Sequence, residues 1–377
     1  MSWSAGRKRR FAGRWRRHGE TGGMTRLRRA MAFALLAAAL FGAATPACKV
    51  LLSDFTSFQL AGLLYLGAAL GVAPAAWRGG GIRLPARADR RNQVRLLGAV
   101  VAGGICGPVL LLFGLRLAEA ASVSLWLNFE VAATALLGVL VFREHLGLPG
   151  WAGVACTFAG AVLLSLGGGT AGLAAGGLVL LACLFWGLDN HLTALIDGIT
   201  PSESTFWKGL VAGGANLAIG LALDPLVPAM PVVIAALVVG ACAYGVSIVL
   251  YITSAHALGS TRAQIVFASA PFFGVVLSVL FLREALTFVH LGSGLLFGAG
   301  VGFLALDRHT HVHGHEAIEH EHEHGHGQPH EDGHHDHDHL GLAVSARRGH
   351  RHGHVAVTHD HPHWPDLHHR HRHGSHD

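Results

Sequence analysis

Charge is what this sequence has least of. Asp, Glu, Lys and Arg make up 14% of the chain while 51% is hydrophobic, whereas soluble domains carry about 25% charged residues. That balance excludes a water-covered globule and points to a membrane protein. Paired cysteine motifs are missing too. Cys48, Cys106, Cys156, Cys183 and Cys242 all lie in apolar runs, where a thiol behaves as a small hydrophobe, so neither a disulfide framework nor a CxxC metal site is expected. The basic start of the chain comes without regularly spaced stacking aromatics or a nucleic-acid-binding motif, which argues against nucleic acid as a partner. The first apolar run lacks a small-residue cleavage site and is followed by further spans, so it reads as a retained helix and not a signal peptide.

The charge that is present is segregated, so the net +5 describes no single region. Residues 1–29, with Arg7, Lys8, Arg9, Arg10, Arg14, Arg16, Arg17, Arg26, Arg28 and Arg29, form a basic segment on the cytoplasmic side. Met24, followed by TRLRR, would serve as a second start. Between this segment and a His-rich tail lies the apolar sequence. A helix needs about 20 mostly apolar residues to cross about 30 Å of hydrocarbon, and ten stretches qualify, near 30–49, 56–77, 95–115, 120–142, 149–167, 173–194, 205–223, 230–252, 261–282 and 287–306. Lipid leaves the backbone no outside partner, so these spans are predicted as helices.

An internal echo organises them. EAASVSLWLNFEVAATALLGVLVFREHL (119–146) and GSTRAQIVFASAPFFGVVLSVLFLREAL (259–286) are apolar runs that both end in Arg-Glu-x-Leu. Each is followed by a Gly-rich run, so the chain reads as two five-span copies, 30–167 and 173–306. Arg78, Arg83, Arg87, Arg90, Arg91 and Arg95 between spans two and three agree with a cytoplasmic N-terminus. An odd number of spans per copy inverts the second relative to the first, and both termini are cytoplasmic. Glycines spaced by four predict close helix contacts: Gly67 with Gly71, Gly103 with Gly107, Gly209 with Gly213, and a ridge of Gly294, Gly298 and Gly302.

Glu130 is the leading candidate for chemistry. It lies mid-span, where a charge costs about 2.5–3.5 kcal/mol on insertion scales, so it should face protein or a water-filled cavity. Trp126 and Thr134, four residues to either side, share its face of a continuous helix. In span six, Asp189, Asn190 and His191 are pathway or proton-relay candidates, at most two of which share a face. In span eight, Tyr244 and Ser247 begin a polar face continued by Tyr251 and Ser254. Pro46 and Pro108 are expected to break or kink their helices. Lys49, Arg116 and Lys208 are read as snorkelling cations. With no Arg or Lys then left in mid-membrane, a phosphorylated or strongly anionic substrate is disfavoured.

The tail, 309–377, holds 24 of the 29 histidines. Poor in apolar residues, it is expected to be disordered without a ligand. His311, His313, His315, His320, His322, His324, His334, His335, His337 and His339, flanked by carboxylates, are candidate ligands for a divalent metal such as Zn, Ni or Co. The variable spacing does not select one.

FGAATPACKVLL (41–52), WLNFEVAATALLGVLVFREHLG (126–147) and IVFASAPFFGVVLSVLFLREAL (265–286) resemble the EamA family of the drug/metabolite transporter superfamily over about residues 30–306. The resemblance implies an all-α integral membrane protein of two inverted five-helix repeats. It also implies a secondary transporter and not an enzyme, exporting a small metabolite, amino-acid-like or drug-like compound by alternating access, with no cofactor for transport. The expected setting is the inner membrane. Two other readings stay open at this point: divalent-metal efflux assisted by the tail, and a membrane-anchored metal-buffering or sensing protein. The chain departs from the family pattern in its tail and in Glu130-Val131, where the second copy has Ala270-Pro271.

Overall fold

The computed structural model describes residues 27–79, 81–86, 88–142, 146–225, 228–258, 260–307, 309–315, 318–325, 347–354 and 357–363. Ten helices are long and apolar enough to span a membrane: α1 Leu27–Leu51, α2 Ser57–Ala76, α3 Arg90–Leu117, α4 Ala120–Leu140, α5 Leu148–Gly167, α6 Gly169–Ala194, α7 Pro201–Leu223, α8 Met230–Leu258, α9 Arg262–Leu282 and α10 Phe288–Leu306. Their outward surface is apolar, with Leu70, Leu140, Leu280, Phe281 and Leu295 exposed, as lipid requires. The described residues of 27–307 form one compact unit and those of 309–363 another.

The termini follow from local chemistry. Thr56, Thr200 and Thr287 each close a capping box, with Gln59, Glu203 and His290 at the third helical position, satisfying backbone N–H groups that have no partner inside the helix. Elsewhere a distant side chain does the same work. Arg283 takes a left-handed backbone, φ 58°, and the next residue, Glu284, accepts from the N–H of Ala120 at 2.8 Å and of Ala121 at 2.7 Å, capping α4. The Asp307 carboxylate accepts from the N–H of Gly147 at 3.0 Å, just ahead of α5.

Several helices depart from a continuous α-helical ladder, and at corresponding places in the two halves. α3 is π-helical over Val100–Cys106, as α8 is over Ala241–Val246. α4 is interrupted between Trp126 and Phe129, as α9 is between Phe267 and Ala270. Pro108 accounts for part of the first irregularity: with no N–H it cannot bond the Gly104 carbonyl, which accepts instead from Asn216 Nδ2 on α7 at 3.0 Å. The expected break near Pro46 is a one-residue irregularity at Ala43, directly before Ala44–Leu51.

Glycines bring α7 and α8 onto α2. A Cβ on Gly209 or Gly213 would lie 2.7 Å from α2 backbone atoms, and Gly67 and Gly71 meet Leu237 and Ala241 in the same way. The ridge expected at Gly294, Gly298 and Gly302 is not the one used. A Cβ there would come no closer than 3.8 Å to anything, whereas at Gly300 it would meet Thr157 Cγ2 at 2.7 Å. α10 packs on α5 through Ser293, Phe297 and Gly300, a face offset from the glycine row.

The helices form a core spanning α1 to α6 with contributions from α8 and α10. The α4/α9 contact is uneven along its length. The first half of α4, Ala120–Trp126, packs on Ala270–Leu277 of α9, with Ser124 against Gly274. Further along, Phe129–Leu140 packs chiefly on α5 and α6, and Ser260–Phe267 packs chiefly on α8. The start of α1 joins α8 and α9 there in a separate apolar cluster of Ala30, Ala34, Leu258 and Val266. α4 and α9 therefore meet at the Glu284 end and part toward the Glu203 end.

In the second unit the backbone forms two antiparallel strand pairs, β1 His309–His315 with β4 Val357–His363, and β2 Ile318–Gly325 with β3 Arg347–His354. Alternating His-x-His has the period of a strand, a signal that composition conceals. Of the candidate metal ligands, His334, His335, His337 and His339 lie outside the described residues.

Candidate functional site

The site gathers around the irregular middle of α3 and α4. Glu130 is not in the centre of an unbroken helix as expected. It occupies the first turn of the second half of α4, after the interruption at Leu127-Asn128, where the helix dipole favours a carboxylate. Asn190 on α6 donates from Nδ2 to Glu130 Oε1 at 3.1 Å and to Thr134 Oγ1 at 3.3 Å. Gly187, one turn earlier on α6, permits this approach: a Cβ there would lie 3.0 Å from the backbone nitrogen of Thr134. Glu130 is half-buried and Asn190 exposed.

The same interruption corrects the expected face of α4. Trp126 lies before it, fully buried, and its Nε1 donates to the Ala161 carbonyl of α5 at 3.3 Å. Trp126 belongs to the core, while Glu130 and Thr134 stay together.

The three consecutive polar residues of α6 separate as a helix dictates, about 100° apart. Asp189 is buried and receives Lys208 Nζ of α7 at 2.8 Å on Oδ1 and 2.6 Å on Oδ2, with Thr193 Oγ1 donating at 2.9 Å. Asn190 turns to Glu130. His191 is buried against Phe142, its ring stacked at 4.3 Å and its Nδ1 2.8 Å from the Gly187 carbonyl. The structure thus brings Asp189 and Asn190 to the site and holds His191 away from it.

Lys208 was read from sequence as a snorkelling cation, and the structure overturns that. It reaches inward, about 10 Å along α7 at 1.5 Å per residue, and its charge is matched by Asp189. Glycines on α3 make room: a Cβ at Gly103 would collide with the Asp189 carboxylate, and one at Gly104 would lie 3.4 Å from Lys208 Cγ. Lys49 and Arg116 are also tied down. Lys49 Nζ donates to the carbonyls of Leu115 at 2.7 Å and Ala118 at 2.8 Å, at the end of α3, and Arg116 donates to Phe55 O and Ser57 Oγ.

Aromatic rings flank the charged groups. The π-helical turn leaves the Gly103 carbonyl available to two donors, Tyr65 Oη at 2.5 Å and Trp186 Nε1 at 3.0 Å. Tyr65 stacks on Tyr244 at 6.1 Å, and Phe41 meets the edge of Tyr244 at 5.5 Å. Tyr244 therefore faces the α1 and α2 side of the site. Ser247 does not: it is fully buried, with its hydroxyl donating back to the Ala243 carbonyl. Tyr251 donates to Gln264 on α9 at 2.6 Å and Ser254 to the Ala30 carbonyl at 2.9 Å, so the expected polar face of α8 is spent on helix contacts beyond Tyr244. Tyr65 and Asn216 had no mark in the sequence. Their only signal would have been the glycines and the proline of α3, whose exposed carbonyls need donors.

Ten membrane-length helices, with matching irregularities in the third and fourth helix of each half and polar side chains drawn to the middle, define a multi-pass membrane protein. The sequence model of the EamA-like transporter family matches residues 28–166 and again residues 174–306, and the chain belongs to that family. It is 28% identical over 229 residues to an uncharacterized transporter of Methanothermobacter thermautotrophicus, an alignment covering 58% of this chain and 66% of the relative. A solved crystal structure superposes with a TM-score of 0.53 over 73% of this chain and 94% of its own at 17% identity, a likeness of fold.

Proposed function

We propose that the protein is a secondary-active transporter of the inner membrane that exports a small cationic or zwitterionic compound, metabolite, amino-acid-like or drug-like. Transport proceeds by rocking of two inverted five-helix halves, with both termini cytoplasmic. The observation that carries this reading is Glu130: a carboxylate about half-way along a membrane helix, bonded by the neutral amide of Asn190, which also donates to Thr134. Such a group serves as a cation partner or proton carrier. The uneven α4/α9 contact supports alternating access, being made at the Glu284 end and relaxed toward the other. The arginine-bearing loop that reaches Glu203 through Arg83, 3.1 Å between Nε and Oε1, supports a cytoplasmic Glu203 end by the positive-inside rule.

Divalent-metal efflux has no comparable observation behind it. Among the described residues no three His, Cys, Asp or Glu side chains converge as metal ligands. The test is flux in proteoliposomes under an imposed proton gradient, over a panel of metabolites and divalent metals. Glu130→Gln is expected to abolish proton-driven flux while the protein remains folded. Equal transport by this variant across pH would remove Glu130 from the mechanism.

A further inference from the structure

Three described charged side chains lie inside the bundle, clear of the helix ends: Glu130 on α4, Asp189 on α6 and Lys208 on α7. The others hold their positions at the ends, as Lys49, Arg116, Glu203 and Glu284 do through terminal or loop backbone groups. Asp189 and Lys208 neutralise each other through both carboxylate oxygens. Glu130 accepts from the Asn190 amide, and among the described residues no cation is bonded to it. The described interior therefore carries one negative charge in excess.

In a low-dielectric interior an unmatched carboxylate takes up a proton or recruits a cation. One proton restores balance, and so does one singly charged cation. A divalent ion would leave a surplus positive charge beside Lys208. We propose that the Asp189–Lys208 pair sets the exchange at one for one: Glu130 holds either one proton or one singly charged organic cation, and trading them moves no net charge. This rests on the reading of Glu130 as a cation or proton site. Tyr65 and Trp186, joined at the Gly103 carbonyl, and Tyr244, stacked on Tyr65, supply ring faces for an organic ammonium, which metal ions do not need.

Asp189 and Lys208 act here by charge balance and are positioning residues. The other ionisable groups around Glu130 do not alter the count. Tyr65 is engaged with Gly103, Cys183 on α6 donates to the Trp126 carbonyl, and His191 faces Phe142. α5 carries no carboxylate, histidine or basic side chain, its one ionisable group being the thiol of Cys156, and His290 of α10 lies at the Glu284 end, against Ser122.

Infrared titration of the full chain in lipid tests the count, because the C=O stretch of a protonated carboxyl is distinct from histidine absorption. The wild type is expected to show one titrating buried carboxyl, absent in Glu130→Gln. Lys208→Met should add a second, as Asp189 takes up the proton that replaces the lost ammonium. Asp189→Asn should show none, with Glu130 now balanced by Lys208. The double variant Asp189→Asn/Lys208→Met should return to one. It leaves no unmatched partner behind, so it keeps the test open where a single variant fails to fold. An unchanged single band in Lys208→Met, or two bands in the double variant, overturns the proposal alone. A wild-type band that survives Glu130→Gln overturns the reading of Glu130 as well.

Discussion

The Glu284 carboxylate bonds two adjacent N–H groups at the start of α4 from the far end of α9, so it should hold that end of the bundle shut. Replacing it with alanine removes both bonds. Loss of a helix cap costs about 0.5–2 kcal/mol, and hydrogen bonds to a charged group contribute about 1.5–3 kcal/mol each. For an end that regains water, about 2 kcal/mol for the pair is a fair figure. At 1.4 kcal/mol per factor of ten, the population open at this end should rise about 30-fold. Glu284→Gln keeps one acceptor oxygen and loses the charge, so about 1 kcal/mol and about fivefold are expected. Ser124, buried against Gly274 where α4 crosses α9, is the reporter. With the five native cysteines replaced, Ser124→Cys is labelled in vesicles by a membrane-impermeant maleimide from the outer side, and the rates are compared in the three backgrounds. The order Ala, Gln, Glu from fastest to slowest is expected. Labelling within twofold across all three would show that Glu284 is not a latch.

Two comparisons of glycines separate packing from composition. Gly103→Ala drives a methyl group into the Asp189 carboxylate and should strip it from Lys208, costing about 3 kcal/mol, whereas Gly177→Ala, with nothing within 4 Å, should be neutral or stabilising by about 1 kcal/mol. Thermal unfolding in detergent measures both, and equal midpoints would contradict the contact. On α10, Gly300→Ala overpacks Thr157 and should cost about 1–3 kcal/mol. Gly302→Ala, in open space, should leave the midpoint unmoved, and a larger loss there would restore the glycine ridge that the sequence suggests.

The spans were legible because transfer of the backbone into lipid imposes a length and a composition that no soluble helix needs. Their edges moved where polar turns extend a helix beyond the hydrocarbon, as at Arg90 in α3 and Leu258 in α8. Glu130 was legible for the same reason: its cost demands a purpose. Its neighbours were less so. Assigning Trp126 to the same face assumed an unbroken helix, and the two-residue interruption turns that ring into α5. Lys208 was misread because a cation eight residues into a helix looks like an anchor until its partner, 19 positions earlier, is placed beside it in space. The Arg-Glu-x-Leu ending was visible as a repeat, but that its second Glu caps α4 depends on a contact 164 residues away that no local pattern encodes.

The ion pair has a consequence for how the chain enters the bilayer. α6 and α7 are successive helices joined by a short turn at 195–200, with Asp189 more than a turn before the end of one and Lys208 about two turns into the other. Either charge inserted alone would meet a barrier of about 2.5–3.5 kcal/mol. Delivered as a hairpin, the two arrive at similar depth and can cancel before lipid surrounds them. The pair is thus suited to admit its own helices during synthesis, and a variant lacking one partner should show its defect first as poor membrane integration of a newly made chain.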